Sequence, residues 1–126
     1  MMSSGSETEK EIAALALKNL VIASPRNQDA ICRAGGITLV VSLLTTGSRR
    51  AKEIAAEVLI NLAMRPTHSA AIREHGDIAP LVSLLSAGSE EGKCHAAFAL
   101  ANLAALGANR DAIREAGGVE ALVFLV

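Results

Sequence analysis

Three asparagines recur at nearly equal intervals and carry the clearest chemistry in the sequence. Asn19, Asn61 and Asn102 are each followed by leucine, and the intervals between them are 42 and 41 residues. A carboxamide has both hydrogen-bond donors and an acceptor, so it can pair with the N–H and C=O of an extended peptide backbone. The same groups can instead bond to neighbouring helices and fix a layer, since buried polar groups are usually satisfied internally. The residues alone leave both interpretations open.

The residues before each asparagine extend this pattern. In a helix, positions four and eight residues earlier lie on the same face as the asparagine. Four residues earlier stand Leu15, Glu57 and Phe98, and eight residues earlier stand Glu11, Glu53 and Cys94. If the three glutamates share one groove, its floor is mildly acidic and favours a neutral or basic partner. The alternative is a solvated helix face with ordinary charge pairs.

Other kinds of chemistry have little support. The histidines and cysteines lack the spacings typical of metal ligands; they are His68, His75, His95, Cys32 and Cys94. Nucleophilic catalysis needs a base and an orienting acid around a cysteine or serine, and the sequence does not predict such a set. The paired glycines join two predicted helices rather than follow a strand, which argues against a phosphate-binding loop. We therefore expect no enzyme activity, no metal and no cofactor.

Composition narrows the class of protein further. The chain has 126 residues, of which 51% are hydrophobic and 2% aromatic, and its formal net charge is −1. An aliphatic core rich in Ala and Leu favours helices. The near-neutral charge weakens interpretations based on nucleic acid or an anionic membrane, and the longest aliphatic stretch is far shorter than the ~20 residues that cross a bilayer. Two cysteines without a disulfide pattern favour a cytoplasmic or nuclear location.

A repeat of about 41 residues organises the chain. Gly-Ser, Asn-Leu, Ile and Gly recur in the same order three times, and each copy ends in Leu-Val-Ser-Leu-Leu or a variant of it. The units cover about residues 5–44, 46–85 and 87–126, and residues 1–4 are expected to be disordered or added. A unit of this size cannot bury its own apolar face, so the units must stack around one core. We expect a single domain spanning residues 1–126.

Each unit predicts three helices. The long helices follow a serine suited to cap them and cover about residues 8–23, 49–64 and 90–106. The short helices cover about 25–34, 66–75 and 109–116; two begin at proline and all end at glycine. The third helices cover about 37–46, 77–87 and 119–126, with Asp77 as a possible cap and Pro80 in a first turn. The predicted fold is all-α: a right-handed α-solenoid of three stacked three-helix layers.

The short helices carry a recurring string. It is NQDAICRAGGI at residues 27–37 and NRDAIREAGGV at residues 109–119. With the Leu-Val-Ser-Leu-Leu run and the Leu-Ile-Asn-Leu-Ala and Leu-Ala-Asn-Leu-Ala strings, it resembles the armadillo repeat of the importin-α and β-catenin type. The resemblance implies a non-enzymatic scaffold that binds an extended peptide along the long helices, its backbone held by Asn19, Asn61 and Asn102. It does not extend to the tryptophans of peptide-binding members, because Leu15, Glu57 and Phe98 replace them.

The order of the helices predicts a second behaviour, self-association. Armadillo repeats are normally counted from the short helix, whereas this sequence opens with a long helix and closes within a third one, as a natural fragment or an engineered three-unit chain would. Both ends would then present uncovered apolar side chains, which drive association. These residues are Ile12 and Leu15 near the start, and Leu122, Phe124, Leu125 and Val126 near the end. A peptide-binding module and a self-assembling fragment are the two functional alternatives.

Overall fold

The computed structural model describes residues 6–22, 24–75 and 78–125, and within these ranges the chain forms nine helices and no strand. The helices are α1 (Glu7–Val21), α2 (Pro25–Arg33), α3 (Gly36–Thr46), α4 (Arg49–Leu62), α5 (Pro66–His75), α6 (Ala79–Ala87), α7 (Glu90–Leu103), α8 (Gly107–Glu115) and α9 (Gly118–Leu125). Each layer therefore repeats the predicted order of a long, a short and a third helix. The all-α fold class is confirmed.

Serine caps begin the long helices, as predicted. In α1, Ser6 Oγ accepts from the Glu9 amide at 3.1 Å and the Ser6 amide donates to Glu9 Oε1 at 2.8 Å. This reciprocal capping box satisfies two amides that the helix leaves unpaired. Ser48 Oγ and Ser89 Oγ each accept from the amide three residues further on, at 3.2 and 3.0 Å.

Paired glycines form the corner between the short and third helices of the first layer. Gly35 has φ 81°, in the left-handed region that glycine adopts without a Cβ penalty. Gly36 is required for a different reason, because a Cβ there would lie 2.4 Å from Ile31 Cγ2 and 2.7 Å from the Ile31 carbonyl oxygen. The corner in the third layer repeats this geometry with Gly117 at φ 86°.

The long helices end two or three residues earlier than the sequence pattern predicts. The amides of Ala63 and Ala104 still donate to carbonyls four residues back, both at 2.8 Å. The backbone then forms a tighter turn, in which the Leu106 amide donates to the carbonyl oxygen of Leu103, three residues back, at 3.2 Å. Because the turn is complete by Leu106, α8 begins at Gly107 rather than at residue 109. The predictions for Ala23, Gly76, Asp77 and Val126 lie outside the described residues.

Helices of the same type lie side by side through the stack. The long helices pack as α1–α4–α7, the short helices as α2–α5–α8 and the third helices as α3–α6–α9. Burial is greatest in the central layer, where α4 is covered on both sides. Its buried residues are Ala51, Ile54, Ala55, Ala56, Val58, Leu59 and Leu62. In α1, by contrast, only Ala14 and Val21 are buried. The chain is a right-handed α-solenoid with one continuous aliphatic core.

None of the described helices is long and apolar enough to cross a bilayer alone. Helices α2 and α3 reach the required length and composition only as a pair, and the chain bends by 81° between them. Both helices contribute to the core, for example through Ile31 and Val40.

Candidate functional site

The long helices bring the nine predicted binding residues onto one face of the solenoid. We call this partly exposed face of α1, α4 and α7 the ladder surface. It consists of Glu11, Leu15 and Asn19 on α1, Glu53, Glu57 and Asn61 on α4, and Cys94, Phe98 and Asn102 on α7. Leu15 is 39% exposed and Phe98 57% exposed. Large apolar side chains therefore stand one turn before the asparagines in the two outer layers.

Polar contacts between neighbouring long helices set their register. The Ser48 hydroxyl that caps α4 donates to Glu11 Oε2 at 2.7 Å, and the Ser89 hydroxyl that caps α7 donates to Glu53 Oε2. Glu11 and Glu53 thus fasten each long helix to the start of the next one. Cys94 occupies the equivalent position in the third layer, where its thiol is free and exposed.

Charge on the ladder surface is partly compensated. Lys18 Nζ lies 3.5 Å from Glu57 Oε2 across the α1–α4 contact, with both side chains about 30% exposed. The serine hydroxyls donate to one carboxylate oxygen of Glu11 and to one of Glu53. The surface therefore keeps a modest excess of negative charge, from carboxylates that also hold the layers together.

The three asparagines differ in their hydrogen bonds. Asn102 Nδ2 donates to the Ile60 carbonyl of the neighbouring helix at 3.0 Å, whereas Asn61 Nδ2 donates to the Glu57 carbonyl of its own helix at 3.1 Å. The Asn19 amide is exposed and makes no hydrogen bond within the described residues. An amide has two N–H donors and one carbonyl acceptor, so Asn61 and Asn102 each keep an N–H and an oxygen for a ligand. Fixing a layer and holding a peptide are therefore compatible roles for Asn102.

A pocket of about 320 Å³ lies beside Asn102, between the carboxyl ends of α4 and α7. Its lining is mostly apolar: Ala63, Met64, Pro66, Ser69, Ala101, Asn102, Ala105 and Leu106. Met64 is 68% exposed at its edge. A ligand backbone held by Asn102 could place an apolar side chain in this pocket.

A second, buried set of polar side chains recurs in the layers and was not predicted. In each layer a residue in the first turn of the short helix donates to a carbonyl at the end of the long helix. The bonds are Gln28 Nε2 to Val21 O at 2.8 Å, Ser69 Oγ to Ala63 O at 2.8 Å, and Asn109 Nδ2 to Leu103 O at 3.0 Å. The pairs of polar residues at 27–28, 68–69 and 109–110 are the sequence feature from which these bonds could have been predicted. Their depth in the core indicates a structural role, which joins the long helix to the short one.

A charged cluster joins the first two layers away from the ladder surface. His68 Nε2 lies 2.7 Å from Asp29 Oδ1, and Arg65 Nη1 lies 3.4 Å from the same oxygen. The hydrogen bond from His68 is the main cause that lowers the pKa of Asp29 below 3.8, and the charge of Arg65 adds to it. The neighbouring Cys32 thiol has a raised pKa, chiefly because it is partly buried and secondly because Asp29 is close.

Stability should therefore depend on pH through Asp29. A carboxyl group whose pKa is depressed on folding contributes stability that is present above its ordinary pKa and is lost as pH falls through the folded value. We expect Asp29→Asn to have a lower Tm than the unmodified chain at pH 7, and the gap to close as pH drops from about 5 towards 2. Thermal melts followed by circular dichroism check this. Parallel Tm curves across that range would contradict it.

These features define a class of protein. Three-helix layers, a glycine corner between the short and third helices, and adjacent long helices with an asparagine at the same place in each are the features of an armadillo-repeat solenoid. The three layers of this chain are similar to armadillo repeats.

Comparison with known proteins supports that assignment. No family model matches the chain. It is 40% identical over 65 residues to human Armadillo repeat-containing protein 3, a match that covers 52% of this chain and 8% of that protein. A crystal structure of an engineered protein is 36% identical with a TM-score of 0.89, over 96% of this chain and 50% of the other. A designed armadillo repeat protein in complex with the peptide (KR)4 is 27% identical with a TM-score of 0.86, over 96% of this chain and 52% of the other.

A further solved structure has the same fold. It is described as a computationally designed armadillo repeat protein for modular peptide recognition, and it is 28% identical with a TM-score of 0.86, over 94% of this chain and 50% of the other. The chain thus spans about half the length of these structures and a small fraction of the human relative.

Proposed function

We propose that the chain is a non-enzymatic scaffold that binds an extended peptide along the ladder surface. The observation that carries the proposal is the alignment of Asn19, Asn61 and Asn102 on three adjacent helices, each with amide groups left unpaired. Packed helices lie about 8–10 Å apart, and two residues of extended chain span about 6.6–6.8 Å. One asparagine for every two ligand residues is therefore geometrically reasonable. The similarity to designed armadillo proteins, one of them in complex with a peptide, supports the same function.

The side chains around the asparagines favour an apolar, neutral to weakly basic ligand. Leu15 and Phe98 offer exposed apolar contacts, and the pocket beside Asn102 can take an aliphatic side chain. The sequence contains no tryptophan, so the surface lacks the large flat faces that would hold the stems of Lys or Arg. The small excess of carboxylates disfavours an acidic ligand.

Peptide titration tests this function. Fluorescence polarisation with (KR)4 and with a neutral peptide such as (TL)4 would compare the unmodified chain with the triple variant Asn19→Ala, Asn61→Ala, Asn102→Ala. We expect tighter binding of the neutral peptide and at least a tenfold loss in the triple variant, because each hydrogen bond is worth about 1 kcal/mol.

Two further variants separate binding from folding. Asn19→Ala removes an amide that makes no hydrogen bond to the described part of the chain, so a weaker affinity there would not come from a broken layer. Ser86→Ala, at an exposed position on α6, should leave the affinity unchanged. Equal binding by the triple variant and the unmodified chain would remove the asparagines from the mechanism.

Exposed apolar side chains favour self-association as a second candidate function. Phe124 is 85% exposed on α9 and Ile12 is 61% exposed on α1. Leu15 and Leu125 are also exposed, whereas Leu122 is half-buried against the core and Val126 lies outside the described residues. Within the chain each long helix covers the preceding one, so α1 of a second copy could cover α7 in the same way. Contacts of that head-to-tail kind produce rings or filaments, whereas contacts between like ends produce closed dimers.

Sedimentation velocity over a range of concentrations tests self-association. We expect a concentration-dependent oligomer that Phe124→Ser weakens. A monomer at every concentration would contradict this candidate and leave peptide binding unaffected.

A further inference from the structure

A second cavity lies beside the first turns of α4 and α7, and Ser89 in its lining also donates to Glu53 of the ladder surface. It has a volume of about 740 Å³ and lies between the carboxyl-terminal part of α3, helix α6 and the first turns of α4 and α7. Its lining consists of Leu44, Thr45, Arg49, Lys52, Ala79, Pro80, Ser83, Leu84, Ala87, Gly88, Ser89 and Glu90. None of the nine ladder residues is among them. This volume is within the range of about 300–1,000 Å³ that is typical of ligand-binding sites.

Two cations in this cavity have no ion-pair or hydrogen-bond partner among the described residues. Arg49 and Lys52 lie three residues apart on the first turns of α4, and neither side chain forms an ion pair or hydrogen bond within the described part of the chain. The one carboxylate in the lining, Glu90, is directed to solvent, with its side chain 96% exposed and Lys93 Nζ 3.9 Å away. The lining therefore has two cations and one carboxylate, and the nearby Glu53 carboxylate accepts a hydrogen bond from Ser89 of the lining.

The apolar part of the lining is smaller than the polar part. Leu44 and Leu84 are both buried, so the accessible apolar contacts come mainly from Pro80 and Ala87. At the starts of α4 and α7, Ser48 and Ser89 each cap one amide. We therefore base recognition on the charged and apolar side chains of the lining.

We propose that this cavity binds an acidic peptide segment of a partner protein. A carboxylate of the segment pairs with Arg49 and Lys52, and an adjacent aliphatic side chain packs on Pro80 and Ala87. Arginine suits this role because its planar guanidinium holds a carboxylate through two parallel hydrogen bonds. The charge preference is opposite to that of the ladder surface, so the two sites take different segments. The proposal does not depend on the proposed function of the ladder surface.

A peptide titration with a matched charge control tests the site. The probe is a labelled (EL)4 peptide, with (KL)4 as the charge-reversed comparison, followed by fluorescence polarisation at low salt. We expect (EL)4 to bind and (KL)4 to bind at least tenfold more weakly. The double variant Arg49→Gln, Lys52→Gln should weaken (EL)4 at least tenfold. Arg50→Gln, a charge loss at an exposed neighbour outside the cavity, should change the affinity less than twofold.

Further outcomes locate the binding and identify its chemistry. Ser83→Phe should block the peptide by filling the cavity, whereas the triple asparagine variant should bind it normally. An equal loss of affinity for (EL)4 in Arg50→Gln and in the double variant would overturn the proposal, because binding would then depend on the overall positive charge and not on this cavity. Unchanged binding by the double variant would overturn it outright. Displacement of (EL)4 by equimolar inorganic phosphate would overturn the peptide assignment, since a small anion would then suffice.

Discussion

Replacing Asn109 with alanine should lower the free energy of unfolding by about 3 kcal/mol. The side chain is fully buried, and its Nδ2 donates to the carbonyls of Leu103 and Ser69 at 3.0 and 3.4 Å. Its Oδ1 accepts from Arg73 Nε at 2.8 Å. Alanine would leave carbonyls and a guanidinium N–H without their partner, and each such loss costs about 1–3 kcal/mol. One amide here joins α7, α8 and the preceding layer.

Urea denaturation followed by circular dichroism measures this loss. Asn27→Ala is the matched control, because Asn27 Nδ2 makes a similar bond to the Leu20 carbonyl at 2.9 Å at an exposed site. Water can replace that bond, so its loss should cost about 1 kcal/mol or less. Similar losses in the two variants would show that burial does not determine the role of Asn109.

The sequence predicts the helices well because their start signals are local. Ser6, Ser48 and Ser89 each need only the amide three residues away, and Gly35 needs only its own φ. The repeat then multiplies the signal, since one unit seen three times predicts three layers. The end of a long helix is less predictable, because apolar residues such as Leu106 continue the helical pattern while their backbone has already turned.

The ladder surface was predictable for the same local reason. Residues four and eight positions before an asparagine share its face in any helix, so Glu11, Leu15 and Asn19 had to lie together. Their partners across layers were not predictable, because the bond from Ser48 to Glu11 depends on how two helices are placed in space. The three asparagines also make different hydrogen bonds, because these bonds depend on how the helices are placed as well as on the residue type.

Two other features were beyond sequence reasoning. The buried polar set draws on two repeat positions, because Asn109 matches Asn27 in the recurring string whereas Gln28 and Ser69 lie one position further on, so the repeat alone does not mark the set. The cavity around Arg49 and Lys52 draws its lining from four helices and depends on a gap between layers. A repeat pattern reports what layers share, whereas these features arise from how individual layers differ.

The solenoid architecture predicts that one repeat position contributes differently in each layer. Leu17, Leu59 and Leu100 occupy equivalent places on α1, α4 and α7; Leu59 is fully buried, Leu100 is 2% exposed, and Leu17 is partly buried. We expect Leu59→Ala to cost about 3–4 kcal/mol, within the range of about 2–5 kcal/mol for a buried leucine. Leu100→Ala should cost less and Leu17→Ala least.

The expected order follows from nearest-neighbour coupling. In a stack, stability is about the sum of each layer's own stability and the contacts between adjacent layers. The central layer cannot unfold without breaking its contacts with both neighbouring layers. The full cost of the cavity left by Leu59→Ala therefore appears in the free energy of unfolding. An outer layer can open locally, and the cost of that opening limits how much a substitution there can destabilise the whole chain. Urea unfolding together with amide hydrogen exchange would measure both the total loss and its location. Equal losses at all three positions would mean that the chain unfolds as one cooperative unit and that the layers are not energetically separable.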